Sequence, residues 1–298
     1  MADHEVERFP AADGRLVAIH RLVKGTSGRT VVLCHPAPGS GAFDPEPEET
    51  MKRDITLLAV DRPGYGQSDP TVPGTWASVS AAADDLATVL DRESCGPVGI
   101  AGWSAGGRVA LALAARRPNL VDRVVVIATP APQEAVPWIP PEQQALIDAM
   151  RGLGPDEAHE IMDAQFGAML PGEVPPELGL DLLGTSDADS AVIADLGARE
   201  RLILMLRDAF VQGAAGMVRD IAGYTLQPWG FEPREVAAKT LLLYGAKDPV
   251  AGSRHATWWK QHLPDSRVEM NPQVGHLVVI PMWKRALSHL APSTISSR

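Results

Sequence analysis

The chain has 298 residues, with 27 Lys and Arg against 37 Asp and Glu and a formal net charge of −10. At 45% hydrophobic and 21% charged residues it has the makeup of a globular chain with a sizeable core, which excludes an intrinsically disordered protein. The acidic balance argues against a general nucleic-acid or anionic-membrane binder, since both need a cationic footprint.

In chain order, residues 15–22 and 30–34 read as strands joined by the turn Lys24-Gly25-Thr26-Ser27-Gly28-Arg29. The apolar run 55–60 ends in a loop, Asp61-Arg62-Pro63-Gly64-Tyr65-Gly66. Residues 76–91 form an Ala/Leu-rich helical stretch, 98–101 a strand, 105–117 a helix stopped by Pro118, and 124–128 a β-branched strand. Past the middle of the chain come a strand at 240–244, a helix at 253–263, a strand at 267–271 and a helix at 281–290. Strands apolar on both faces, alternating with helices, specify an α/β protein with a mainly parallel sheet covered on both sides.

Residues 131–232 break this rhythm. Pro130-Ala131-Pro132 and Trp229-Gly230-Phe231-Glu232-Pro233 bracket them, and between lie helical patterns at 142–151, 156–170, 188–210 and 213–224, broken at Pro171-Gly172 and Pro175-Pro176. This stretch holds 17 Asp and Glu but only 5 Lys and Arg, a charge of −12, so the remainder carries +2. The chain therefore divides into a body, residues 1–130 and 233–298, and a helical insertion, residues 131–232. The two cysteines, Cys34 and Cys95, read as reduced core thiols. The N-terminus lacks the basic start and apolar stretch of a signal peptide, and no apolar run approaches the roughly 20 residues that cross a bilayer. The expectation is a cytoplasmic protein with a small-molecule substrate and no nucleic-acid or membrane partner.

The chemistry sits at 98–107, where a buried strand runs into Gly102-Trp103-Ser104-Ala105-Gly106-Gly107 and straight on into a helix. That is G-x-S-x-G in the strand–turn–helix setting that gives it meaning. The sharp turn presents Ser104 at the carboxyl end of the sheet, and the helix behind it points its positive end at developing negative charge. A serine nucleophile needs a base, and the base an orienting acid. Of the eight histidines, only His276 follows a last sheet strand; His4 is terminal, His20 lies in a strand, and His159, His255, His262 and His289 fall in helices. Asp248 directly follows the strand at 240–244, whereas Asp61 opens a turn-rich loop that it caps and Asp44 is a weaker rival. The order Ser104…Asp248…His276 suits this architecture. The N–H groups of Ala105 and Ala37 are the expected oxyanion donors, Ala37 because its neighbours Pro36 and Pro38 have none. His35 reads as a scaffold group.

With His35–Ser40, Asp61-Arg62-Pro63-Gly64-Tyr65-Gly66-Gln67-Ser68, the serine turn, Gly245-Ala246-Lys247-Asp248 and Gly275-His276, the chain resembles an α/β-hydrolase fold protein with a helical cap. The resemblance implies a mostly parallel eight-stranded sheet with helices on both faces, a Ser-Asp-His triad, and an all-helical cap inserted after the sixth strand. The family loop begins His-Gly where this chain has His35-Pro36. Ser104 argues against the haloalkane dehalogenases and epoxide hydrolases of this fold, which use Asp as nucleophile.

The expected activity is serine hydrolysis of an ester, thioester, lactone or amide of a small to medium, largely apolar substrate, with no cofactor or metal. Alternatives are non-hydrolytic uses of the same triad (a cofactor-free perhydrolase or haloperoxidase, a lyase, a C–C hydrolase) or a ligand-binding protein without turnover. Candidate pocket residues are Phe43, Trp103, Met162, Phe166, Met205, Phe210, Met217 and Trp229, with Met162, Phe166 and Met169 spaced i, i+4, i+7 along one helix. Core packing competes with pocket lining as the reading of these residues. The acidity of 131–232 reads as a solvated outer face, or as a lid that disfavours anionic substrates.

Overall fold

The computed structural model describes residues 5–170 and 174–292. A hairpin of β1 (Glu5–Pro10) and β2 (Leu16–Val23) leads to β3 (Thr30–Cys34), α1 (Pro47–Lys52), β4 (Thr56–Val60), α2 (Val79–Arg92), β5 (Val98–Trp103), α3 (Ala105–Arg116) and β6 (Val121–Ile127). Six helices follow: α4 (Pro141–Met150), α5 (Pro155–Met169), α6 (Pro176–Leu182), α7 (Ser190–Ala194), α8 (Leu196–Ala209) and α9 (Ala215–Leu226). The chain then returns to the sheet with β7 (Lys239–Gly245), α10 (Ser253–His262), β8 (Ser266–Asn271) and α11 (Trp283–Leu290).

The eight strands form one sheet in the order β1-β2-β4-β3-β5-β6-β7-β8. β2 runs antiparallel to both neighbours, and every pairing from β4 to β8 is parallel. The continuous apolar runs follow from this layering, because side chains of one strand alternate between two covered faces. Val32, Ile100, Val124 and Leu242 pack under α2, α3 and α10, while Val31, Ala101, Val125 and Leu241 face α11, α6 and α8. Each fully buried Val or Leu of this kind stabilises the fold by about 1.5–3 kcal/mol. No helix among the described residues is long and apolar enough to cross a membrane.

Three local differences from the sequence reading have physical causes. β1 was not expected, because Glu5, Glu7 and Arg8 give an edge strand that is half in water no apolar run. The helix expected over 188–210 is interrupted at Asp195, which ends α7 and restarts the chain as α8 by accepting the Ala198 N–H (2.7 Å). The prolines at 175–176 open α6 instead of ending structure, since proline is favoured in the first turn of a helix.

Candidate active site

β5 delivers Ser104 at the carboxyl edge of the sheet in a conformation that L-residues rarely adopt (φ 54°, ψ −121°). The turn is held at both ends: the Ser104 N–H donates to the Ile127 carbonyl (2.8 Å), and the Thr129 hydroxyl donates to the Ser104 carbonyl (2.9 Å). Gly102 and Gly106 are required there. A Cβ on Gly102 would stand 2.3 Å from the Gly106 carbonyl oxygen, and one on Gly106 2.2 Å from the Cys34 carbonyl oxygen. Ala105 opens α3, and among the described residues neither its N–H nor that of Ala37 is spent on a backbone carbonyl.

Asp248 stands on the turn after β7 and His276 on the loop after β8. His276 Nδ1 donates to Asp248 Oδ2 (2.8 Å), and Asp248 Oδ1 accepts the N–H groups of Val250 (2.8 Å) and Ala251 (2.9 Å). Burial opposes the charged carboxylate, but the facing imidazole and these hydrogen bonds outweigh it and hold Asp248 below its usual pKa. Burial likewise opposes the imidazolium, and the charge and hydrogen bond of Asp248, with Asp189 behind, outweigh it and raise His276 above the ordinary 6.5.

The backbone of His276 is clamped from two sides. Trp103 Nε1 donates to its carbonyl (3.1 Å), and Asp189, wholly buried, accepts the N–H groups of Gly275 (3.0 Å), His276 (3.3 Å) and Leu277 (3.1 Å). Asp189 comes from the turn before α7, far away in sequence, and no spacing rule points to it.

Ser104, His276, Ala37 and Ala105 line one cavity of about 400 Å³. Helices from the stretch between β6 and β7 supply its apolar walls, Ile147, Phe166, Leu182, Met217 and Ile221 among them. Of the expected pocket residues, Phe166 and Met217 line this cavity and the others do not. Met162 packs between α4, α5 and α9 with Ile147, Met150 and Ala222, because its helical stripe meets other helices before it meets the sheet. Phe43 and Trp103 pack on each other (5.8 Å between ring centroids) beneath the site, and Met205 and Phe210 join the same core. Trp229 stacks on Trp259 and lines a neighbouring cavity of about 350 Å³. The Met169 side chain lies outside the described ones.

His35 Nε2 accepts the Arg62 N–H (3.1 Å), which leaves Nδ1 to donate to the Pro36 carbonyl (2.7 Å). Burial and the Arg62 charge push its pKa well below the ordinary value, so His35 is a neutral brace for the loop that carries Ala37. Arg62 pairs with Asp220 of α9 (2.7 Å) and donates to the Pro36 carbonyl (2.8 Å), tying that loop to the helical stretch. The sequence reading passed over Arg62 and Asp220 as partners, and over Arg108 and Tyr224 as cavity residues. One cluster, His20, Asp61 and Asp208, brings metal-type donor atoms within 4.8 Å of one another. Asp61 already accepts the N–H groups of Gly41 (2.6 Å) and Gln67 (3.0 Å) and contacts His20 Nε2 (2.9 Å), an arrangement that caps its loop.

A family model described as alpha/beta hydrolase fold matches residues 29–281. A pimeloyl-[acyl-carrier protein] methyl ester esterase of Nitrosomonas europaea is 26% identical over 269 residues, covering 88% of this chain and 93% of that protein. One from Chromobacterium violaceum is 25% identical over 254 residues, covering 84% and 87%. Among solved structures, a hydrolase from Pseudomonas aeruginosa PA01 superposes with a TM-score of 0.70 at 18% identity, covering 98% of this chain and all of that one. A thermophilic esterase from Thermogutta terrifontis gives 0.66 at 20% identity, covering 94% of each chain.

Proposed function

The chain belongs to the alpha/beta hydrolase fold family, and on that premise we propose that it is a serine esterase working through Ser104, His276 and Asp248. The observation that carries this reading is the His276–Asp248 hydrogen bond of 2.8 Å beside a cavity that also holds Ser104 and the free N–H groups of Ala37 and Ala105. The esterase names of the relatives support it.

Ser104 Oγ attacks the ester carbonyl while His276 Nε2 takes its proton. Asp248 keeps the imidazole in the tautomer with hydrogen on Nδ1 and stabilises its cationic form. The carbonyl oxygen gains charge against the N–H groups of Ala37 and Ala105 and the positive end of α3. The tetrahedral intermediate collapses, His276 returns the proton to the departing alcohol, and an acyl group remains on Ser104. Water activated by the neutral imidazole then frees the acid by the same steps. Residues 131–232 act as the cap, whose apolar inner face sets the length of chain the cavity accepts.

A fluorophosphonate probe tests this directly, because it modifies only an activated serine. The wild type is expected to label and Ser104→Ala not, and a panel of chromogenic esters of increasing acyl length is expected to be cleaved by the wild type alone. Full activity in Ser104→Ala would overturn the mechanism.

A further inference from the structure

Arg108 stands one helical turn after Ser104 on α3 and is 6% exposed. Among the described residues no carboxylate lies within ion-pair distance of it, and its hydrogen bonding amounts to one long contact, Nη2 to the Pro130 carbonyl at 3.4 Å. Its buried Nε has no acceptor. The guanidinium lies over Trp229, 4.6 Å from the ring centroid, and 5.8 Å from that of Trp138. Two more buried donors are without partners beside it, the Tyr224 hydroxyl and the Trp138 indole N–H.

These three residues line both the Ser104 cavity and the neighbouring cavity of about 350 Å³, so they form the wall the two share. The carboxylates that line the same spaces are otherwise placed. Asp220 is paired with Arg62, Asp181 is exposed, and Glu134 is exposed beside Arg151. Burial pushes the Arg108 pKa down to about 10, which still leaves it charged at neutral pH. A buried cation without a counter-charge is costly to keep, and a wall of donors without an acceptor has the polarity of an anion site awaiting its anion.

We propose that Arg108, Tyr224 and Trp138 form a subsite for a carboxylate carried by the ester substrate, in its acyl half or its alcohol half. The inference rests on the esterase reading and narrows it to half-esters of dicarboxylic acids or esters of hydroxy acids. Four residues of helix separate Ser104 from Arg108 by about 6 Å along the axis, so a short chain links the reacting carbonyl to the anion. The guanidinium and the phenol hydrogen-bond the carboxylate, and the indole rings flank the cation.

Matched substrate pairs test this. The para-nitrophenyl ester of hexanoic acid is compared with the mono-para-nitrophenyl ester of adipic acid, and ethyl hexanoate with the hexanoyl ester of glycolic acid. The wild type should favour the anionic member of at least one pair by ten-fold or more in kcat/KM, and the pair that responds identifies the half that carries the anion. In Arg108→Gln the ratio should fall to about one. Preference for the neutral member in both pairs, or a ratio unchanged in Arg108→Gln, overturns the subsite while fluorophosphonate labelling still upholds the esterase. If the wild type neither labels nor cleaves, the esterase reading fails, and calorimetric titration with adipate decides the subsite alone. Binding that Arg108→Gln abolishes upholds it, and no binding to the wild type overturns it. A raised melting temperature of unliganded Arg108→Met would mark Arg108 as a group kept for a ligand, and a lowered one would mark it as structural and overturn the assignment.

Discussion

Beneath the loop that carries Ala37, Arg62 is 5% exposed and fully engaged: Asp220 takes its Nε and Nη2, and the carbonyls of His35 and Pro36 accept from the remaining donors. On α3, one turn past the serine, Arg108 is 6% exposed with a single long contact to Pro130, and beside it the Tyr224 hydroxyl and the Trp138 indole N–H have no partner. The two arginines have the same burial and opposite surroundings. Where every donor has an acceptor within the chain, the cation is part of the scaffold. Where most donors lack one, an acceptor from outside the chain would complete the set. The burial of a charge therefore says little about its role until its hydrogen bonds are counted.

The largest expected effect sets the baseline against which both regions are read. Ser104→Ala should lower kcat by about a million-fold, with no loss of stability by urea unfolding, since the elbow keeps its backbone bonds. Asp248→Asn should cost about ten-thousand-fold in kcat, because it supports the wrong imidazole tautomer.

The contrast between the arginines then appears as a difference of sign. Arg62→Ala strands the Asp220 carboxylate and should destabilise the fold by about 3–5 kcal/mol in urea unfolding. Arg108→Met removes a cation with no partner and should stabilise it by about 1 kcal/mol or more. Destabilisation of similar size in both variants would break the comparison.

The smallest effect is a shift in pH dependence. The base must be neutral to accept the Ser104 proton, and the His276 pKa is raised, so kcat/KM should fall as pH drops through a midpoint above 6.5. In Asp248→Asn that midpoint should move down, because the carboxylate that favours the imidazolium is gone. A midpoint that did not move in Asp248→Asn would detach Asp248 from the titration of His276.

Ser104, Asp248 and His276 could be singled out in the sequence for one reason: each lies within five residues of the end of a strand, in company with glycine or proline. Local spacing sufficed. Asp189 was illegible because its role is to accept N–H groups from a loop 86–88 residues away, and nothing in Ser186-Asp187-Ala188-Asp189 announces that. Arg108 was passed over within the helix at 105–117, since only the packed structure reveals which face of α3 it occupies. Met162 and Phe43 mark the opposite limit. An apolar side chain that packs in a core and one that lines a cavity look alike in sequence, and only the position of the empty space separates them. The acidity of residues 131–232 fits the solvated outer face read from the sequence. Glu142, Asp156, Glu157 and Glu160 stand exposed on the outer face, while the inner wall opposite carries an uncompensated cation, so the net charge of a segment does not report the charge a substrate meets.

The Asp189 clamp has a consequence for the loop that carries His276. Because that carboxylate holds three successive N–H groups of the histidine loop, a shift of the turn before α7 would strip the loop of its acceptors and displace His276. Asp189 thus makes the seat of His276 depend on a turn that lies outside the sheet, so the two move together or not at all.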